Sequence, residues 1–225
     1  METARIDMAE CATARSNVYG LLAKVFRAEP TAALIREMQS PGFAAAFSEL
    51  GLSWGDEFHD TSPEQLAEDL ALEYTRLFIG PGHRISPHES LHVELGNVSE
   101  NAMWGPQTVA VKRFIEATGL RYDDGFTGLP DHISAEFELM QKLAQREAQS
   151  RSEGSEDDAN WCWGAQKKFL EEHILAWVPR FCAKVIERAE QPFYREMARV
   201  TRSFLEFEND GFQSSDSNTV QTASA

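Results

Sequence analysis

Cysteine is scarce in this chain: Cys11, Cys162 and Cys182 are its only three in 225 residues. That is too few, and too scattered, for a disulfide framework or a cysteine-based zinc cluster. Cys162 and Cys182 lie among aromatic residues and read as buried thiols. Positive charge is also short, with 21 basic residues against 36 acidic ones and a formal net charge of −15. Such a balance opposes binding to nucleic acid or anionic membranes and favours basic partners. No apolar run approaches transmembrane length, and Met1-Glu2-Thr3-Ala4-Arg5-Ile6-Asp7 mixes charges where a signal peptide would need an apolar stretch. These absences make a reducing cytoplasm the expected setting. Neither a phosphate-cradling G-x-x-x-x-G-K-[ST] loop nor a G-x-G-x-x-G is present, so no nucleotide site can be argued from a motif. Convincing strand alternation and internal repeats are missing too.

Helical periodicity fills the space these absences leave. Helices are expected at about 13–26, 32–39, 42–50, 63–79, 106–118, from Pro130, at 161–170, through 173–177 to a break at Pro179, at 181–189 and at 192–208. The best-marked is 63–79. Ser62-Pro63-Glu64-Gln65 supplies a cap, a proline at the first helical position and a glutamine at the third. Leu66, Leu70, Tyr74, Leu77 and Phe78 then share one face, and Gly80-Pro81-Gly82 ends the helix. Tyr122 to Gly128 is a turn-rich candidate boundary between an N-terminal half (1–121) and a C-terminal half (129–209). The acidic stretch 150–158 reads as a mobile excursion, and 210–225 as a disordered tail. The fold class is therefore all-α: a single multi-helix bundle, divisible into two helical halves.

Two polar clusters stand out. His88-Glu89-Ser90-Leu91-His92 is a literal H-E-x-x-H, which on a helix would place two imidazoles around zinc with the glutamate as general base. Its context argues against that: Pro87 precedes it, Gly96 follows closely, and only Glu94 or Glu100 offers a third ligand. A metal on His83, His88 and His92 without catalysis is a weaker version of the same idea. In the second cluster, Pro130-Asp131-His132-Ile133-Ser134-Ala135-Glu136, Asp131 falls in a first helical turn and His132 and Glu136 are i, i+4 neighbours. No serine or cysteine sits where a nucleophile would, so the cluster suits helix capping or the binding of a cationic or amide group. The aromatic run Trp161, Trp163, Phe169, His173, Trp177 and Phe181 reads as inter-helix packing.

Three stretches together resemble the TorD/DmsD-type chaperones of molybdoenzymes. The first joins Glu73, Tyr74, Leu77, Phe78, Gly80, Pro81 and Gly82 to Ser86, Pro87, Glu89 and Ser90. The second runs from Leu129 through Pro130, Asp131, His132, Ile133, Glu136 and Glu138 to Met140. The third holds Phe169, Leu170, His173, Trp177, Pro179 and Phe181, then Phe193 and Tyr194. They occur in the family's order and the likeness covers roughly 14–208. It implies an all-helical, non-enzymatic protein, monomer or homodimer, with no cofactor of its own. Its partner would be the signal peptide or N-terminal segment of a dimethyl-sulfoxide-reductase-class catalytic subunit, held until cofactor insertion. Carried over by match, the peptide-binding positions are Tyr74, Leu77, Phe78, Pro87, Asp131 and His132. Gly80, Pro81, His88 and Ser90 lie beside them, and Glu73, Glu89, Asp131 and Glu136 are candidates for peptide arginines. His88 and His92 stand where the family often has aromatics, and they create the H-E-x-x-H lookalike. The alternative is a zinc-dependent hydrolase using His88, Glu89 and His92.

Overall fold

The computed structural model describes residues 2–49, 54–82, 84–93, 105–120 and 128–222, with side chains for 8–45, 54–82, 84–93, 105–120 and 128–214, and most of them are helical. The helices are α1 (Glu2–Arg27), α2 (Ala32–Met38), α3 (Pro41–Glu49), α4 (Asp56–Asp60), α5 (Pro63–Tyr74), α6 (Pro106–Ala117), α7 (Ile133–Glu153), α8 (Glu156–Phe169), α9 (Leu175–Arg188) and α10 (Pro192–Thr222). Within the described residues there is no strand, only an antiparallel bridge between His88 and His132. The Leu50–Ser53 stretch, His83, Glu94, Glu100 and most of the Tyr122–Gly128 boundary lie outside the described residues.

Local chemistry explains the best-defined ends. Ser62 Oγ accepts from Gln65 N–H at 3.2 Å, as the cap pattern requires. α5 does not continue as α-helix to Ile79 but widens into a π-turn over Thr75–Ile79, closed by Gly80 N–H donating to Thr75 O at 2.6 Å. A Cβ on Gly80 would sit 3.1 Å from that same oxygen, so the close approach favours glycine.

One core spans both halves of the chain. Tyr19, Phe26, Phe78, Phe137, Trp177, Phe181 and Phe212 belong to it together. α1 packs chiefly along α7, α7 against α8, and α9 against α10. The first helix therefore rests on what the sequence assigned to the opposite half. At the centre, Phe78 stacks on Phe181 at 5.8 Å while Phe26 meets Phe181 edge-on at 5.6 Å.

Several sequence expectations are corrected. The stretch 150–158 is a tight helix–helix corner: Gly154 adopts φ +79, and Gly154 N–H and Ser155 N–H close back on Arg151 O and Ser150 O. Ser150 and Arg151 are buried, and Glu156, Asp157 and Asp158 lie in the first turn of α8, where the helix dipole favours acids. Composition suggested mobility because these acids have a local structural role that leaves no apolar signature. The last helix does not stop at 208. α10 runs to Thr222, and Phe212 is buried with its ring 4.3 Å from Trp163. Nor does Pro179 break the chain. It sits inside α9, and the carbonyl deprived of its N–H partner belongs to Leu175, where a second π-turn (Leu170–Ile174) hands over to α9.

α10 carries a titrating group in the interior. Glu208 is buried and accepts from Tyr19 OH at 3.3 Å. Burial pushes its carboxyl up from 4.5 to about 7, against the pull of Arg15. With the folded pKa above the unfolded one, stability is full at low pH and falls as pH rises through about 7. Ionising Glu208 costs about 3 kcal/mol by the size of that shift. Glu208→Gln is expected to raise the urea midpoint at pH 8 and to flatten its decline from acid to neutral pH; an unchanged decline would assign it to other groups.

Candidate functional site

The two signature stretches meet at the His88–His132 bridge. Pro87 O accepts from Ile133 N–H at 2.9 Å and Asp131 O from Glu89 N–H at 2.9 Å, so 86–89 and 131–133 run antiparallel as a short seam. Asp131 Oδ2 accepts from Ser90 N–H at 3.1 Å, fixing the seam's far end. Asp131 thus precedes α7, whose N-cap is His132: its Nδ1 accepts from Ser134 N–H at 3.2 Å. Accepting there leaves the ring proton on Nε2. Burial, aided by nearby His88 and Arg27, pushes His132 down to about 4, which keeps the cap neutral at physiological pH. The i, i+4 bond between His132 and Glu136 does not form, because each is otherwise engaged.

Beneath the seam lies a buried polar group. His173 Nδ1–H donates to Glu89 Oε2 at 3.0 Å, and Trp177 Nε1–H donates to Glu136 Oε2 at 3.0 Å. Glu136 is completely buried beside Glu89, and its Oε1 faces no protein donor. Burial and the neighbouring Glu89 and Asp131 carboxylates push Glu136 well above the usual carboxylate range. A proton on Oε1 would let Glu136 donate toward the neighbouring Glu89 carboxylate. His173 and Trp177, packing residues by sequence, are hydrogen-bond donors in the fold. Their i, i+4 spacing is the available signal, but nothing local tells which acids they serve.

The H-E-x-x-H lookalike does not form a zinc site. His88 is extended (φ −126, ψ 133), and Glu89–Leu91 is a 3₁₀ turn, so no α-helical face presents both imidazoles. His92 Nε2–H donates to Ser86 O at 2.7 Å while its ring lies 5.1 Å from Trp177. His88 turns the other way, meeting the His132 ring at 4.9 Å. Burial lowers both His88 and His92.

The sequence-predicted binding residues separate into two groups. Glu73, Tyr74, Leu77, Phe78, Glu89, Asp131 and Glu136 are buried. Tyr74 OH donates to Phe26 O at 3.1 Å. Glu73 chelates Arg76 at 2.8 Å through both oxygens and accepts from the N–H groups of Glu190 and Gln191. Burial alone would raise the Glu73 carboxyl, but those bonds hold it below its usual value. It staples α5 to the α9–α10 corner, and no room remains there for a peptide arginine. His88, Ser90 and His132 are half-buried, Pro81 is exposed, Gly80 is half-buried, and Pro87 is buried. The accessible part of the predicted set is thus the seam and the turn before it.

The family of nitrate reductase delta subunits matches residues 40–183, a span that contains both sides of the seam and His173 and Trp177 beneath it. The chain belongs to that family. Among its relatives, the chaperone protein TorD of Shewanella oneidensis is 26% identical over 205 residues, covering 85% of this chain and 87% of that protein. The Tat proofreading chaperone DmsD of Salmonella typhi is 26% identical over 141 residues, covering 61% of this chain and 59% of that one. A crystal structure of a protein described as a redox enzyme maturation protein, from Archaeoglobus fulgidus, shares the fold with a TM-score of 0.51 and 23% identity, over 85% of this chain and 93% of that one. The likeness to TorD/DmsD-type chaperones carried by the three sequence motifs is borne out. So is the all-α fold.

Proposed function

We propose that this protein is a cytoplasmic maturation chaperone that binds the signal peptide or N-terminal segment of a molybdopterin oxidoreductase catalytic subunit and holds it until the cofactor is in place. One observation carries the choice of site. At the seam, Asp131 Oδ1 and Ser90 Oγ are both buried without a hydrogen-bond partner. Unsatisfied buried polar atoms are rare in folded proteins and call for an explanation. An incoming N–H, from a peptide backbone or a guanidinium, would satisfy the Asp131 oxygen, and Ser90 can answer with its hydroxyl. Half-buried His88 and His132, each next in sequence to a seam residue, are proposed as the lip that shifts to admit the donor. Family membership and the names of the relatives support the class of partner. Glu73, Glu89 and Glu136, buried inside the fold, are proposed to shape this site and not to touch the peptide; Tyr74, Leu77 and Phe78 would hold the seam from below.

The partner is identified by affinity capture of the tagged chain from its native host. Recovery of a molybdoenzyme subunit, lost when its N-terminal segment is deleted, supports the reading; recovery of none in molybdenum-replete and molybdenum-starved cells overturns it. The site is then tested with Asp131→Asn. The amide keeps an oxygen for Ser90 N–H but turns a donor toward the incoming donor. Affinity for the captured partner's N-terminal peptide is expected to fall roughly 10- to 100-fold, the worth of one hydrogen bond to a charged group. Helical circular dichroism should not change. Asp131→Ala with His132→Ala should weaken binding as well, but it also removes the α7 cap, so its melting temperature must be read beside it. Equal affinity for Asp131→Asn and wild type would move the site elsewhere.

A further inference from the structure

Three exposed cations lie near the seam, although the protein as a whole carries −15. Arg180 and Lys184 are exposed on α9, one turn apart. The same helix turns Trp177 and Phe181 inward against His92, at 5.1 and 6.1 Å between rings. Both cations lie close enough to that imidazole to oppose its protonation, and Arg84 does the same to His88. Arg84 is exposed as well. None of the three has a carboxylate partner among the described residues. Elsewhere acids are used freely to pair bases at four-residue spacing, as in Lys112–Glu116, Lys168–Glu172 and Arg202–Glu206. Like charges one turn apart oppose helix formation. Arg180 Nη2 donates to Ala176 O at 2.7 Å, but that neutral carbonyl brings no carboxylate to offset the Arg180–Lys184 repulsion. The seam's own acids, Glu89, Asp131 and Glu136, are all buried, and the exposed Glu187, three residues after Lys184, forms no ion pair with it among the described residues.

We infer that the α9 face carrying Arg180 and Lys184, with Arg84 near His88, is a docking surface for an acidic peptide segment of a partner protein. Charge complementarity selects the occupant, and two cations spaced along a helix suit carboxylates spaced along a chain better than one compact anion. The inference goes beyond the proposed function, since it assigns a second, oppositely charged contact that an acidic stretch anywhere in the partner can make.

The test uses the full chain and two short, capped helical peptides, identical except that one carries glutamates and the other lysines at four-residue spacing. By calorimetry at fixed ionic strength, the glutamate peptide is expected to bind about tenfold or more tightly than the lysine peptide, a preference that added salt erodes. Arg180→Glu with Lys184→Glu, both on the surface, should reverse the preference while leaving the melting temperature near wild type. Equal binding of the two peptides, or a glutamate preference that survives the charge reversal, overturns the proposal. Inorganic pyrophosphate that displaces the glutamate peptide at matched ionic strength also overturns it, in favour of a small phosphate ligand. The Asp131→Asn variant should keep the glutamate preference, which separates failure here from failure at the seam.

Discussion

Replacing Glu147 with alanine is expected to destabilise the protein by about 3–5 kcal/mol, the cost of stranding buried charge. Glu147 is the shared acceptor of a group in which nearly every member is inside. Its Oε1 accepts from Arg151 Nε at 2.8 Å and its Oε2 from Gln166 Nε2 at 2.8 Å. Arg15 Nη2 donates to the same Oε2. The side chains of Arg15 and Arg151 are only 9% and 4% exposed, so without Glu147 two guanidinium groups would face the interior with little water to help. Glu156 reaches Arg151 at 3.6 Å from a partly exposed position and compensates weakly. Arg15 keeps its stacking over Trp163 at 4.5 Å, a smaller contribution. For a chain of this size, the loss corresponds to roughly 6–20 °C in melting temperature. Glu147→Gln should cost less, because an amide oxygen still accepts. Denaturant unfolding checks both variants; a loss below about 1 kcal/mol for alanine would mean that water reaches the arginines after all.

This group also marks where sequence reading stops. Glu147 and Arg151 are i, i+4 neighbours, a pair visible in the sequence, but Arg15 lies on a helix 132 positions away and no local pattern links them. The same division runs through the seam. Helix existence, the Ser62 cap and the Gly80-Pro81-Gly82 stop were legible because they rest on contacts within a few residues. The joining of Ser86–Ser90 to Pro130–Ser134 was not, since it depends on two backbone bonds between segments some forty residues apart. Burial was misjudged for a related reason. Glu73, Glu89 and Glu136 looked like surface acids awaiting arginines, because unpaired carboxylates belong in water. Each has a partner within the fold, Arg76, His173 and Trp177 respectively, and only the assembled fold brings the last two near Glu89 and Glu136. The unpaired cations of α9 were missed because net charge averages away a local excess of the opposite sign.

The last of these acids has the sharpest consequence. If Glu136 carries a proton in the folded protein, Glu136→Gln should be nearly silent, within about 1 kcal/mol, because an amide also donates on one side and accepts on the other. The substituted amide can give an N–H to Glu89 and take the Trp177 Nε1–H, as the protonated acid does. Glu136→Ala differs on both counts, leaving the indole N–H without an acceptor and Glu89 without the donor that Glu136 would supply, with His173 still in place. Two unmet buried partners at ~1–3 kcal/mol each put the loss near 2–6 kcal/mol before any cavity is counted. The pH dependence follows from the direction of the shift. A carboxyl whose folded pKa is raised stabilises the fold fully at low pH, and that stability is lost as pH rises through the raised value. Wild type should therefore lose stability toward alkaline pH by an amount that Glu136→Gln does not, so the two curves diverge as pH climbs. Because Glu136 holds Trp177 and faces Glu89, whose N–H donates to Asp131 O, the same climb should loosen the seam. Peptide affinity would then fall with rising pH in wild type and hold in Glu136→Gln. Parallel stability curves for the two proteins would place the proton elsewhere, and a glutamine variant as damaged as the alanine one would show that Glu136 is ionised.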